Sequence, residues 1–417
     1  MNKILFIFSL IFLIGCKENS NAQKEEPVVL WQRYNDSIEV VESQANTNPR
    51  MKYKLVQSKY LDKNDVFLPL YNEVQKLSDA DYQRLKPIVF EKNMLELRSL
   101  IEKGELKYEE LVLFYLYRIY KYELNNETTL NTILALNSKV VEQARKLDEL
   151  KASGNESSIK HPIYGMPILL KDNINTKGMN TTAGSVALMN NKVEDAFIVK
   201  KLKENGALIL GKANLSEWAY FMCSGCPVGY SAVGGQTLNP YGRKIFETGG
   251  SSSGSGTSMA ASYAVAAVGT ETSGSILSPS SQNSVVGLKP TIGLLSRTGI
   301  VPISSTLDSP GPMTRNVIDA GILLSAMTGK DPNDAKSVAL DIGYNSAGLQ
   351  PILKGKRFGA IKQLLERDSI YKASIEKLKL AGAEVVEVTP PQVGMNGFLS
   401  ILNIDMKNDL PAYLKAN

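Results

Sequence analysis

The sequence predicts an α/β protein built on a large mixed β-sheet covered by helices on both sides. Three observations lead there. Residues 194–211 and 369–388 each run as amphipathic helix, glycine (Gly206, Gly382) and apolar strand (ALILG, AEVVEV), and repeated helix-glycine-strand units build a parallel or mixed sheet with helices packed on it. Residues 259–268, MAASYAVAAV, carry no charge, as a buried helix followed by a strand would. Ile168, Leu169 and Leu170 form a further apolar run that ends at Lys171, the pattern of a buried strand.

The totals narrow the function. At 417 residues with 43% apolar side chains the chain can form one large domain with a substantial core. The net charge of +5 is the small difference between 47 basic and 42 acidic residues spread along the chain. No basic run interleaved with aromatics stands out, so nucleic acid is not an implied partner. The single histidine, His161, leaves no HExxH site and no histidine cluster for a metal. If the chain is a nucleophilic enzyme, lysine is the expected base, and His161, just before Pro162, reads as a turn residue.

Taken in order, residues 1–16 have Lys3, an apolar run from Ile4 to Ile14, then Gly15 and Cys16. That run is short for a membrane span and fits an export signal. Its end, Leu13-Ile14-Gly15-Cys16, resembles a bacterial lipobox, which implies cleavage before Cys16 and lipidation of that cysteine. The expected boundaries are a signal peptide at 1–15, a polar tether at 16–28, and an aromatic-rich N-terminal cap at 29–92. The chain would then be an exported lipoprotein held at a membrane, in the periplasm or at the cell surface. Ser78 or Asp79 is the expected cap of a helix in the N-terminal part. Helical periodicity is clear from Met94 to Tyr122, broken at Gly104, and residues 130–151 read as an apolar piece followed by a charged helix.

The centre of the sequence is residues 246–290, where Ser and Gly crowd together on both sides of the apolar run. A flexible linker has no reason to carry a core segment. A phosphate loop needs a lysine, and none lies between Lys244 and Lys289; Gly254-Ser-Gly256 lacks the last glycine of a dinucleotide fingerprint. Cys223 and Cys226 make a CxxC, but no second pair supports zinc and no thioredoxin-like context surrounds them.

Four strings, PILLKDNINTKGMNTTAGS at 167–185, GGSSSGSG at 249–256, GTETSGSI at 269–276 and VVGLKPTIGLLSRTGIVPISSTLDSPGPMTR at 285–315, together resemble the amidase signature family. The resemblance covers about 94–417 and implies the amidase signature fold over a domain spanning 93–417. It implies hydrolysis of a carboxylic amide C–N bond through an acyl-serine, with Ser275 as nucleophile, Ser251 as the bridging serine of a cis peptide and Lys171 as base. Ser252 becomes a hydrogen-bonding neighbour, and backbone N–H groups of Thr272, Ser273, Gly274 and Ser275 become donors to the oxyanion. Met222, Gly225, Tyr230 and the loop from Ser304 to Ser309 would line the pocket. The implied partner is a small amide; the resemblance calls for no cofactor, no metal and no obligate protein partner.

Two departures matter. Ser273 and Leu277 stand where many members carry Gly or Asp and an arginine, which leaves the three catalytic positions untouched and points toward the peptide-amidase-like branch. Family domains also usually continue beyond the position of Asn417, so 93–417 is expected to be C-terminally incomplete and to expose apolar surface. The alternatives are a glutaminase-type subunit of an amidotransferase, which the export signal disfavours, and a noncatalytic lipoprotein scaffold, which the intact Lys171, Ser251 and Ser275 disfavour.

Overall fold

The computed structural model describes residues 28–155, 161–223, 225–340, 342, 353–391 and 394–417. The lipobox-like segment ending at Cys16 lies outside the described residues.

Ten strands are described: β1 (Ile133–Leu136), β2 (Pro167–Lys171), β3 (Leu208–Ala213), β4 (Tyr230–Ser231), β5 (Gly235–Gln236), β6 (Ala266–Glu271), β7 (Val286–Gly287), β8 (Ser309–Thr314), β9 (Arg357–Ile361) and β10 (Glu384–Val388). Six form a mixed sheet in the order β1-β3-β2-β6-β8-β7. Its centre, β3-β2-β6, is parallel, and β1, β8 and β7 are added antiparallel. The apolar runs of the sequence sit here because a central parallel strand is covered on both faces: every residue of β2, β3 and β6 is buried.

The register then aligns the chemistry. Leu170 of β2 pairs with Lys212 on one side and Val268 on the other, so Lys171 emerges beside the carboxyl end of β6 and the loop that follows it. In open α/β sheets that end of the strands is where ligands are met.

Helix Ser253–Ala260 crosses β2, β3, β6 and β8, and its small side chains let it lie close. A Cβ on Gly254 would stand 2.5 Å from the carbonyl oxygen of Asn214, and the Gly254 N–H donates to that same oxygen at 2.9 Å. The Ser/Gly richness therefore serves close helix-to-sheet packing rather than flexibility.

Of the two repeated units, the first behaves as its sequence suggests: helix Phe197–Glu204, Gly206 at φ +78°, then β3 in the sheet centre. The second does not join the main sheet. Helix Ser369–Leu380 and β10 make a separate unit in which β10 pairs in parallel with β9, and Ile370, Leu380, Val386 and Val388 are exposed. The sequence pattern matches the helix and the strand, but glutamates at both Glu384 and Glu387 and a lone partner strand leave β10 mostly exposed.

In the N-terminal part, Ser78 caps helix Asp79–Val89 in a reciprocal box with Asp81. Tyr82, Leu85 and Val89 of that helix enter the same core as Leu111 and Phe114 of helix Tyr108–Glu123. At the other end, helix Phe398–Ala416 folds back to bury Leu402, Met406 and Tyr413 against the loops around the strand ends. Among the described residues no helix is long and apolar enough to cross a membrane.

Candidate active site

Lys171 closes β2 with its side chain 0% exposed. Its Nζ lies 2.8 Å from Ser251 Oγ, 2.8 Å from Thr270 Oγ1 and 3.1 Å from the Thr270 carbonyl oxygen. No carboxylate is bonded to it among the described residues. Burial pushes its pKa down to about 7, opposed only by the fields of Asp308 and Glu271. A neutral amine has two N–H donors and one lone pair. The carbonyl must take a donor, and either hydroxyl can face the lone pair.

Asp172 is an obvious ionic partner for Lys171 in the sequence, yet alternation along the chain sends it to a different partner. Asp172 Oδ1 lies 3.3 Å from Nζ of Lys212, both side chains being buried. Asp172 also accepts from the Thr182 hydroxyl and, at 3.0 Å, from the Thr182 N–H, while Lys212 donates to Thr181 Oγ1 and to the Ile174 carbonyl. This pair absorbs the nearest acid and leaves Lys171 with hydroxyl and carbonyl neighbours.

The adjacent serines are separated by their bonds. The Gly250–Ser251 peptide is cis, and Ser251 presents Oγ to Lys171. Ser252 instead braces the backbone: its Oγ donates to the Thr270 carbonyl at 3.1 Å and accepts the Thr270 N–H at 3.2 Å, and its N–H donates to the Ser275 carbonyl at 3.1 Å. That last bond ties the Ser251 loop to the Ser275 loop.

Ser275 follows Gly274, whose φ of +87° is the left-handed conformation glycine adopts without steric cost. Glu271 fixes what comes next, accepting the Ile276 N–H at 2.7 Å and the Leu277 N–H at 2.9 Å. Among the described residues the N–H groups of Ser273, Gly274 and Ser275 have no acceptor, and Ser275 Oγ has no hydrogen bond. Thr272 is held by its hydroxyl on Asp308, whose carboxylate also takes the N–H groups of Ile303 and Ser304. Burial raises the Asp308 pKa against these bonds.

A pocket of about 210 Å³ opens on Ser275, lined by Thr272, Ser273 and Gly250 and by the apolar Phe221, Ile303, Phe398 and Leu402. A larger cavity of about 670 Å³ borders Asn173, Thr270, Thr272 and Asp308 but does not reach Ser251 or Ser275. The pocket on Ser275 is the one in contact with the reactive hydroxyl. None of the expected lining residues Met222, Gly225 and Tyr230 borders it, nor does the loop from Ser304 to Ser309: Tyr230 is buried in the β4-β5 hairpin, Met222 is exposed, and Ser305, Asp308 and Ser309 line the larger cavity instead. Cys223 and Cys226 are disulfide-bonded. His161 sits away from the site, its Nε2 3.0 Å from Ser325 Oγ.

Thr270, Glu271, Asp308 and Asn173 lie within the strings that carry the family resemblance, but sequence reasoning gave none of them a role. Asn173 donates to Thr270 Oγ1 at 3.0 Å, and its spacing of two from Lys171 is the available hint, since both leave the same strand end.

A six-stranded mixed sheet whose central strand ends in a buried lysine, facing Ser251 and beside a glycine-turned Ser275, defines an amidase signature fold. The chain belongs to the Amidase family, whose model matches residues 110–404. It is 42% identical over 335 residues to a probable amidase of Arabidopsis thaliana, covering 77% of this chain and 64% of that protein. A glutamyl-tRNA(Gln) amidotransferase component from Thermoanaerobacter pseudethanolicus is 34% identical over 327 residues, covering 76% of this chain and 64% of that one. The chain thus spans somewhat less than two thirds of the length of either. Among solved structures, an amidase family protein from Bacillus anthracis superposes with a TM-score of 0.79 at 38% identity, covering 87% of this chain and 73% of that one. Native peptide amidase from Stenotrophomonas maltophilia superposes with a TM-score of 0.72 at 39% identity, covering 78% and 68%.

The buried ion pair yields a stability prediction. Replacing Lys212 by Met strands the Asp172 carboxylate and should cost about 3–5 kcal/mol, whereas Lys212→Met with Asp172→Leu should recover most of that loss. Denaturant unfolding of the single and double variants checks it; equal losses in both would contradict the pairing.

Proposed function

We propose that this chain is an amidase that hydrolyses a carboxylic amide through an acyl-Ser275 intermediate, with Ser251 and Lys171 moving the proton. The observation that carries the reading is a fully buried lysine whose Nζ lies 2.8 Å from a serine hydroxyl and, among the described residues, is hydrogen-bonded to no acid, with burial pushing its pKa down to about 7.

In this reading the neutral amine of Lys171 withdraws the Ser251 proton, and Ser251 takes the proton of Ser275 as its oxygen attacks the carbonyl. The hydrogen bond between the two serine hydroxyls forms as substrate excludes water. The oxyanion is met by the free N–H groups of the Thr272–Ser275 turn, each worth about 3 kcal/mol in the transition state. The proton held on Lys171 returns through Ser251 to the leaving amine, the C–N bond breaks, and water repeats the sequence on the acyl-serine. Thr270 holds the lysine in place, and Asn173 holds Thr270.

Similarity to peptide amidase supports a linear amide as substrate and the peptide-amidase-like branch. Similarity to the amidotransferase component favours a second reading, a glutaminase-type subunit with a protein partner. The basic-apolar start and the Leu13–Cys16 sequence favour the first, with Cys16 lipidated, the chain at a membrane outside the cytosol, and no obligate protein partner. Labelled palmitate should enter the wild-type chain when expressed in a bacterium and not Cys16→Ser; equal incorporation would remove the anchor.

Labelling with a fluorophosphonate probe tests the chemistry. The probe should attach at Ser275, be lost in Ser275→Ala, and fall by at least about a hundredfold in rate in Lys171→Ala. Because the lysine is a base only when neutral, and its folded pKa is lowered to about 7, the labelling rate should rise with pH through about 7 and then level. A folded wild type that takes no probe would sink the hydrolase reading.

A further inference from the structure

We propose that the substrates of this site are amides that carry a carboxylate, and that Arg50 is the residue that selects it. The inference rests on the acyl-serine reading and adds the substrate class.

Of the residues lining the 210 Å³ pocket on Ser275, Arg50 is the one that carries a charge. It reaches the pocket from the N-terminal part of the chain, far in sequence from every motif that builds the site. Its backbone is clamped at both ends: its N–H donates to Asn48 Oδ1 at 3.0 Å, and its carbonyl accepts the Val228 N–H at 3.0 Å. The side chain is therefore aimed by a fixed short 3-10 turn, Pro49–Met51, rather than trailing in solvent.

Glu247 holds the inner edge of the guanidinium without consuming it. Glu247 Oε2 lies 3.2 Å from Arg50 Nε, but the Nε–H is buried and makes no hydrogen bond, so this is an ionic contact off the N–H axis. The same Oε2 accepts from Asn48 Nδ2 at 3.0 Å, which fixes the carboxylate in turn. Among the described residues neither terminal nitrogen of Arg50 is bonded. A guanidinium offers five donors in a fork matched to a carboxylate, and here the outer pair is left for a ligand while the side chain is 42% exposed.

The apolar part of the lining is made by Phe221, Ile303, Phe398 and Leu402. A cation among apolar residues in a pocket that Ser275 also lines sorts ligands by charge. A carboxylate gains the fork; an ammonium meets a like charge and no acid in the lining, Glu247 standing behind Arg50 at 3.2 Å and outside the pocket; a purely apolar group leaves Arg50 solvated but unused.

The test uses the full chain with three anilides of matched length, glutaryl (carboxylate), pentanoyl (neutral) and 5-aminopentanoyl (ammonium), as competitors of fluorophosphonate labelling at Ser275. Wild type should be protected by the glutaryl compound at concentrations about tenfold lower than by the pentanoyl one, the worth of one charge-assisted fork at a half-exposed site, and least by the ammonium. In Arg50→Gln the glutaryl advantage should shrink to within about twofold, and Arg50→Lys should keep part of it, since a point charge replaces the fork. Labelling of wild type with no charge preference, or a preference unchanged in Arg50→Gln, overturns the role of Arg50 and leaves the acyl-serine reading standing. Absence of labelling in wild type overturns both.

Discussion

The arrangement depends on keeping one lysine amine out of water without giving it an acid. Lys171 is fully buried at the end of β2, and desolvation works against its charge. Any carboxylate within hydrogen-bonding reach would restore the ammonium and remove the base. The structure meets this constraint by giving the adjacent Asp172 its own buried lysine, Lys212, on the neighbouring strand. Asp308 and Glu271 are close enough to be felt but are committed to backbone N–H groups and the Thr272 hydroxyl. The loops at the strand ends therefore bring acids near the lysine while directing their lone pairs elsewhere.

From that constraint the rest of the site follows. A lysine that must be dry has to leave the middle of a covered sheet, which accounts for the apolar strands around it. The serine that meets it sits in the loop that leads into helix Ser253–Ala260, and that helix has to lie against those strands, which accounts for Gly254 over Asn214. The turn carrying Ser275 has to free its amides, which accounts for Gly274 and for Glu271 capping the residues just after it. The same Ser252 that braces Thr270 also ties the two serine loops through the Ser275 carbonyl. The two loops are thus locked to each other and to β6.

Much of this was legible in the sequence, for reasons that differ by element. The buried strands and the Gly206 stop are local signals, written in periodicity and in the backbone freedom of glycine, whereas the helix expected within 259–268 forms instead over Ser253–Ala260, on the Ser/Gly run itself, because its small side chains pack against the sheet. Ser251 could be set apart from Ser252 only by resemblance, because the distinction lies in which hydroxyl the chain turns toward β2. Long-range pairing was not legible at all: nothing near Asp172 names Lys212, forty residues on, and nothing near Arg50 announces a pocket built by residues 219–402. The second helix-glycine-strand unit shows the converse. Its local pattern specifies helix and strand, yet pattern does not specify which sheet a strand will join, and β10 pairs with β9 alone.

The most direct measurement is the ionisation of Lys171 itself, followed by NMR with the lysine side-chain nitrogens labelled and the signal assigned by its loss in Lys171→Met. A titration midpoint near 7 is expected, so that the amine is largely neutral just above neutrality. A midpoint remaining near the ordinary lysine value of about 10.4 would mean the site holds a permanent ammonium, and the proton relay proposed for Ser251 and Ser275 would have no base to drive it.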